Sequence, residues 1–297
     1  MSQRFLQPDV LAGMSGLDLI AKTVVDGFVA GLHRSADFGF SQEFAEYRAY
    51  TPGDDLRHVD WNVYARTERA YLKRYRGETN SLLTLLLDAS NSMQYSSHVV
   101  SKLDYARYLA AALAYLATRK QRDAAGLMVF DDEVRTYVPP STRSGQLQRL
   151  LSAIETAEPR ARTSFEAPLT RFSSLLRRRG IVVVLSDFFE EPRAIIRAAE
   201  PLRFHGNEIV LLHILDPQEL RPEVSGGSAL LEDLETQARI EVSAAYAARE
   251  YRARIGHHIE ALRDGARRAG MSHHLITTDQ PLDGVLREYL TIRQGRD

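Results

Sequence analysis

The chain of 297 residues has no cysteine. That absence excludes disulfides, thiolate metal sites, iron–sulfur clusters and cysteine nucleophiles. Neither sign of charge is in excess: 38 Lys and Arg stand against 39 Asp and Glu, a net charge of −1. A protein that grips nucleic acid by bulk electrostatics is therefore not expected. No stretch reaches the roughly 18 consecutive apolar residues of a membrane span. The opening "MSQRFLQPDVLAGMSGLDLIAK" has no apolar core followed by a small-residue cleavage site, so no signal peptide is read there. These absences point to a soluble, cytoplasmic protein. There is one tryptophan, Trp61, and no internal repeat or low-complexity tract.

What is present from Ser81 onward is an alternation of short apolar runs and longer amphipathic stretches. The runs are Leu82–Leu87, Ala124–Phe130, Ile181–Leu185, Glu208–Leu215 and the weaker His274–Thr277. Such runs read as strands covered on both faces by helices. Between them the periodicity predicts helices over Ser101–Lys120, Gln146–Ala157, Phe165–Arg178, Arg193–Phe204, Ala244–Ala269 and Leu282–Ile292. The expected fold is α/β, a mostly parallel sheet with helices on both faces. Ala229–Val242 reads instead as a hairpin set into one connection. The first part of the chain is different in character. Residues 1–79 read as an N-terminal extension and residues 80–297 as the sheet domain. A helix is expected over Asp18–His33, with Leu19, Val24, Phe28 and Leu32 on one side.

Two of the strands end in acid. Asp88 closes "SLLTLLLD" and Asp187 closes "IVVVLSD". In an open parallel sheet, ligands sit beyond the carboxyl ends of the strands where strand order reverses. If these strands flank that reversal, their acids converge. Ser90 and Ser92 follow Asp88 at alternate positions, which points all three side chains one way in an extended turn. With Thr163 the inventory is two carboxylates and three hydroxyls. An oxygen-only set suits Mg²⁺, or Mn²⁺ or Ca²⁺, rather than zinc. The alternative is that these residues only cap helices: "TSFE", Thr163–Glu166, is a capping-box pattern, and Asp187 opens another N-cap-like sequence.

"DASNS" after an apolar strand, a later Thr and "VVVLSD" resemble the metal-ion-dependent adhesion site of von Willebrand factor A domains. By that resemblance Ser90, Ser92 and Thr163 match hydroxyl ligands, and Asp88 and Asp187 match acids that often act through water. The pattern departs at Arg162, where the family usually has glycine before its threonine. "YRAYTPGDDLRHVDWNVYART", "LKRYRGE", "DASNSM" and "LEDLETQARIEV" resemble, in order, the motifs of the bacterial domain-of-unknown-function 58 family, from about Phe44 to Arg293. The resemblance implies a von Willebrand A-like domain acting as a non-enzymatic protein-binding adaptor. It also implies an association with MoxR-type AAA+ ATPases. A partner could complete the site with a carboxylate of its own. A Mg²⁺-dependent hydrolase or phosphatase, and a structural domain that binds no metal, stand as alternatives.

Tyr47–Glu78 is rich in arginine and contains the Pro52-Gly53 turn. Arg48, Asp54, Asp55, Arg57, Asp60, Trp61 and Arg66 are its candidate partner-binding residues, since Trp and Arg are typical interface anchors. The competing reading is an ion-pair network anchored by Trp61 and Tyr64. "AYLKRYR" alternates like a strand, with Tyr71, Lys73 and Tyr75 on one face. The adjacent pairs His257-His258 and His273-His274 are poor chelates, because neighbours point apart, and the first pair is expected in solvent.

Overall fold

A computed structural model of the chain describes residues 6–32, 44–50, 59, 63–64, 69, 71–75, 82–160, 162–222, 227–232, 239–243 and 246–294. Two compact units are present. One holds Met1–Phe28 together with Ser81–Asp297, and the other spans Val29–Asn80. The first helices therefore group with the sheet rather than with the arginine-rich block that follows them.

The reason lies in what those helices bury. Helix α1 (Pro8–Ala12) buries Leu11, and α2 (Leu17–Leu32) buries Leu17, Ile20, Val24 and Phe28. Leu19, expected on the apolar side, is 50% exposed. The stripe runs through positions 17, 20, 24 and 28, and Leu19 falls on the opposite face of a 3.6-residue repeat. The amide of Leu282 donates to the carbonyl of Leu6, and Lys120 pairs with Asp26 at 2.9 Å.

In the other unit, β1 (Phe44–Ala49) pairs antiparallel with β2 (Tyr71–Tyr75), as the alternation in "AYLKRYR" suggests.

The large unit is built on β3 (Leu82–Asp88), β4 (Ala124–Phe130), β5 (Val134–Ser141), β6 (Ile181–Ser186), β7 (Glu208–Leu215) and β10 (Ser272–Thr277). Their order is β10-β7-β6-β3-β4-β5. All neighbours are parallel except β4 and β5. Edge strand β5 was not anticipated: "VRTYVPPS" has neither alternation nor a continuous apolar run, and its two prolines suit only an edge. Strands β8 (Ser228–Glu232) and β9 (Arg239–Ser243) form the inserted hairpin.

The helices of this unit are α3 (Lys102–Tyr115, continued by a π turn over Leu116–Lys120), α4 (Gln146–Glu155), α5 (Glu166–Leu175), α6 (Pro192–Phe204), the short α7 (Pro217–Leu220), α8 (Arg252–Arg268) and α9 (Asp283–Gln294). Leu86, Val184 and Leu211 share one core cluster with Phe172 of α5, Ile195 of α6 and Leu262 of α8. The intervening Leu85 and Leu87 are equally buried. Each fully buried leucine contributes about 2 kcal/mol by transfer from water. Gly180 lets β6 start beside β3, because a Cβ there would stand 2.2 Å from the Leu82 carbonyl oxygen. The large unit is thus an α/β arrangement, a mostly parallel six-stranded sheet with helices.

The chain leaves β3 towards β4 and β5, then returns to the other side of β3 as β6. Strand order thus reverses between β3 and β6, with Leu87 in register with Leu185. The carboxyl ends of these two strands frame the crevice where such sheets place their ligands.

Candidate functional site

Asp88 is the last residue of β3 and is fully buried. Its Oδ1 accepts from the Ser90 amide at 2.9 Å. Its Oδ2 accepts from Ser186 Oγ at 2.5 Å and from Thr163 Oγ1 at 3.4 Å. Ser90 is extended, and the chain then tightens into a 3-10 turn, Asn91–Gln94. This brings Ser90 Oγ to 3.0 Å from Ser92 Oγ. Asp88, Ser90, Ser92 and Thr163 therefore meet at one end of the sheet.

The capping readings do not hold. Helix α5 begins at Glu166 with Phe165 as its N-cap and no side-chain cap. The Phe165 amide donates instead to Glu190, and Thr163 turns its hydroxyl to Asp88. The N-cap of α6 is Glu191, not Asp187. Arg162, the bulky departure from the adhesion-site pattern, is exposed.

Asp187 lies one residue past β6 and is fully buried. Its Oδ2 accepts from Lys102 Nζ at 2.8 Å, whereas its Oδ1 is buried with no hydrogen-bond partner among the described residues. Lys102 is itself fully buried and donates also to Glu219 Oε1 at 2.6 Å. Its ammonium lies 4.7 Å from the centroid of the Phe189 ring, a cation–π distance. The other oxygen of Glu219 accepts from the Asp216 amide at 2.8 Å. Asp216 in turn holds the amide and hydroxyl of Ser97. A polar network thus runs along the carboxyl ends of β3, β6 and β7.

Burial, reinforced by the charge of Asp187, pushes the Asp88 carboxyl up to about 7; hydrogen bonds from Ser186 and Ser90 only partly oppose this. Burial likewise lifts Glu219 to about 7 against the pull of Lys102. For Lys102, burial disfavours the charge, but Asp187 and Glu219 outweigh it and hold the ammonium above its ordinary range.

Lys102, Ser186 and Glu219 were missed at the level of sequence. Lys102 did leave a signal. It is the first residue of α3, where the helix dipole disfavours a cation, so a lysine there calls for a compensating partner.

Phe188 follows Asp187 with φ 51°, a left-handed conformation that costs a non-glycine residue roughly 1–3 kcal/mol. Three contacts hold it. Its amide donates to Ser186 Oγ at 2.9 Å, its carbonyl lies 2.9 Å from His258 Nε2, and its ring stacks on Phe165 at 5.3 Å. His258 is thus half-buried and engaged, unlike its exposed neighbour His257. His213 Nδ1 lies 3.1 Å from His273 Nε2 on the adjacent strand. Among the described residues, no group of three or more His, Asp or Glu is arranged to hold a metal.

Of the candidate partner-binding residues, Arg48 lies in β1. Asp54, Asp55, Arg57, Asp60, Trp61 and Arg66 lie outside the described residues. Tyr64, proposed as an apolar anchor, is 44% exposed.

The family model described as "Protein of unknown function DUF58" matches residues 46–279. The uncharacterized protein Rv1480 of Mycobacterium tuberculosis is 29% identical, with 98% of this chain and 86% of the relative covered. Two solved structures are similar in fold. BatB from Bacteroides thetaiotaomicron is 15% identical with a TM-score of 0.51, covering 73% of this chain and 100% of that one. An aerotolerance-related membrane protein from Bacteroides fragilis is 17% identical with a TM-score of 0.50, covering 70% and 96%. No helix among the described residues of this chain is long and apolar enough to cross a membrane.

Proposed function

The chain belongs to the DUF58 family, and from that premise and the site geometry we propose that it is a protein-binding adaptor whose contact point is a divalent cation. Ser90, Ser92 and Thr163 would hold the ion, with Asp88 and Asp187 beside it. Mg²⁺ is the assigned ion, and Mn²⁺ or Ca²⁺ would fit the same oxygens.

The observation that carries the reading is the Oδ1 of Asp187, buried without a partner among the described residues beside an all-oxygen cluster. A buried carboxylate oxygen left unpaired costs free energy. A hard cation would remove that cost. Charge counting agrees: Asp88, Asp187 and Glu219 against Lys102 sum formally to −2, which a divalent ion brings to zero. The ion would supply a Lewis-acidic point for a carboxylate from a partner. Asp88 and Ser90 are fully buried, whereas Thr163 is half-buried and Ser92 is 8% exposed. A partner would therefore reach the ion past Ser92 and Thr163.

The partner class we assign is a MoxR-type AAA+ ATPase, on the family resemblance alone. Three measurements test the reading. Calorimetry should give Mg²⁺ or Mn²⁺ binding that Ser90→Ala and Asp88→Ala abolish; equal affinity in these variants would overturn the cation. Capture of the ATPase should need the ion and be lost in Ser92→Ala while the fold survives. Turnover of phosphoesters lost in Asp88→Asn would replace the adaptor with a hydrolase.

A further inference from the structure

Helices α6 and α8 border a groove of about 1070 Å³. They approach closely where Gly265 meets Ile196: a Cβ on Gly265 would stand 3.0 Å from Ile196 Cγ1. Ile196, Ala253, Ala261 and Ala269 give the groove an apolar component. Arg193 and Arg197 line it from α6, and Arg254 and Arg268 from α8.

All four arginines are exposed, and none of them makes an ion pair among the described residues. Other surface arginines of the same helix behave differently. Arg263 pairs with Glu260 at 2.6 Å and Arg267 with Asp264 at 2.9 Å, each three residues back. Three residues before Arg254 and Arg268 stand Tyr251 and Gly265, and the acids four residues before them, Glu250 and Asp264, make no ion pair with them among the described residues. The groove also contains three acids, but two are engaged. Glu191 accepts from the Ala194 amide at the start of α6, and Asp264 is held by Arg267. Glu191 keeps its charge, so Glu191 and Glu200 are the carboxylates set against four guanidinium groups, and the groove retains an excess of positive charge.

We propose that this groove docks an acidic amphipathic helix of a partner protein. The alanines and Ile196 accept its apolar face, and the four arginines pair with its carboxylates, the helix-in-groove mode with charge complementarity. The arginine fork suits carboxylates in pairs. Among the described residues no Trp, Tyr or Phe lines the groove to stack bases, and concavity suits a helix better than a membrane surface. The inference goes beyond the cation-site reading and needs no cation. The two surfaces are nonetheless neighbours: His258 lines the groove and holds the carbonyl of Phe188, next to Asp187.

The test uses the full chain in chelator, so that failure of the cation reading does not affect it. Two fluorescent designed helices of equal length carry the same leucine face, one with Glu and one with Lys on the polar face. Anisotropy should show that the Glu helix binds. Its affinity should fall at least about tenfold in Arg197→Glu/Arg254→Glu, while the Lys helix gains in that variant. Both arginines are exposed, so the variant should keep its melting temperature, which calorimetry checks. Equal binding of the two helices to the unaltered chain would overturn the proposal. So would an undiminished Glu helix in the variant, or no binding of it at about 100 μM. Single-stranded DNA or anionic vesicles binding more tightly than the Glu helix, with the same loss in the variant, would assign the groove to those ligands instead.

Discussion

Lys102 donates to one oxygen of Asp187 at 2.8 Å and leaves the other oxygen of that carboxylate buried and, among the described residues, unpaired. The ammonium therefore fixes the Asp187 carboxylate without satisfying it. It also ties Asp187 to Glu219, and so β6 to the α7 turn that precedes the inserted hairpin.

Removing that ammonium should be severe. Lys102→Met strands Asp187 and Glu219 in a buried site, and breaking a buried pair from one side costs about 3–5 kcal/mol. Glu219→Gln should cost less, because Asp187 remains as the counter-charge of Lys102 and the amide oxygen can still accept from Lys102, although the amide nitrogen no longer accepts from the Asp216 N–H. Urea denaturation of the two variants should separate them clearly. Equal losses would mean that Glu219, not Asp187, is the main counter-charge.

Asp88 makes stability depend on pH in an unusual direction. Its carboxyl is raised from 3.8 to about 7 by burial first and Asp187 second, so the folded chain binds this proton more tightly than the unfolded one. The resulting stabilisation is complete below about pH 4 and is lost as pH rises through about 7. Asp88→Asn should remove this loss, since Asn can accept from the Ser90 amide and donate to Ser186. At pH 8 in chelator the variant should melt above the parent. If the site takes Mg²⁺, the ion competes with the proton, so it should raise the melting temperature of the parent more at pH 8 than at pH 6 and leave Asp88→Asn unmoved.

Ser186 links the acid to the strained residue beyond it, donating to Asp88 and accepting from the Phe188 amide. Ser186→Ala leaves that amide without its acceptor and removes the shortest bond to Asp88. Leaving such groups unsatisfied costs about 1–3 kcal/mol each. The same variant should raise the Asp88 titration further, because this hydrogen bond favours the carboxylate. Carbon-detected NMR titration of the Asp88 carboxyl reads this directly. A drop instead of a rise would show that Ser186 does not stabilise the charged form.

The core of this site was legible in the sequence because strand ends are. Apolar runs stopping at Asp88 and Asp187 located the two carboxylates, and their convergence needed only the reversal of strand order between β3 and β6. The two serines do meet, but through the 3-10 turn over Asn91–Gln94 and not through the extended turn that their period-two spacing suggests. Lys102 was hidden because it reaches the site from a helix, across 85 residues of chain. The reading of "TSFE" as a cap failed because Asp88 offers Thr163 a partner that local pattern cannot show. Edge strand β5 was lost to its prolines, and the tie between His213 and His273 to the fact that strand neighbours are set by topology.

That histidine layer predicts acid sensitivity. His213 is fully buried, and burial first, then His273 and His258, depress its basicity well below the ordinary value. Burial, with Arg263, His274 and His258, brings His273 down from 6.5 to about 4. These groups are neutral in the fold and bind protons more readily once it opens. Their stabilising contribution is present above about pH 6.5 and is lost as pH falls towards about 4. The trend opposes that of Asp88, so single variants are needed to separate them. His273→Gln keeps a polar partner for His213 and removes one titration. Its stability should fall less than the parent's between pH 6.5 and 4 in denaturation curves, while the opposing contribution of Asp88, which declines from about pH 4 to about 7, stays unchanged. An unaltered acid limb would show that His273 does not titrate with unfolding.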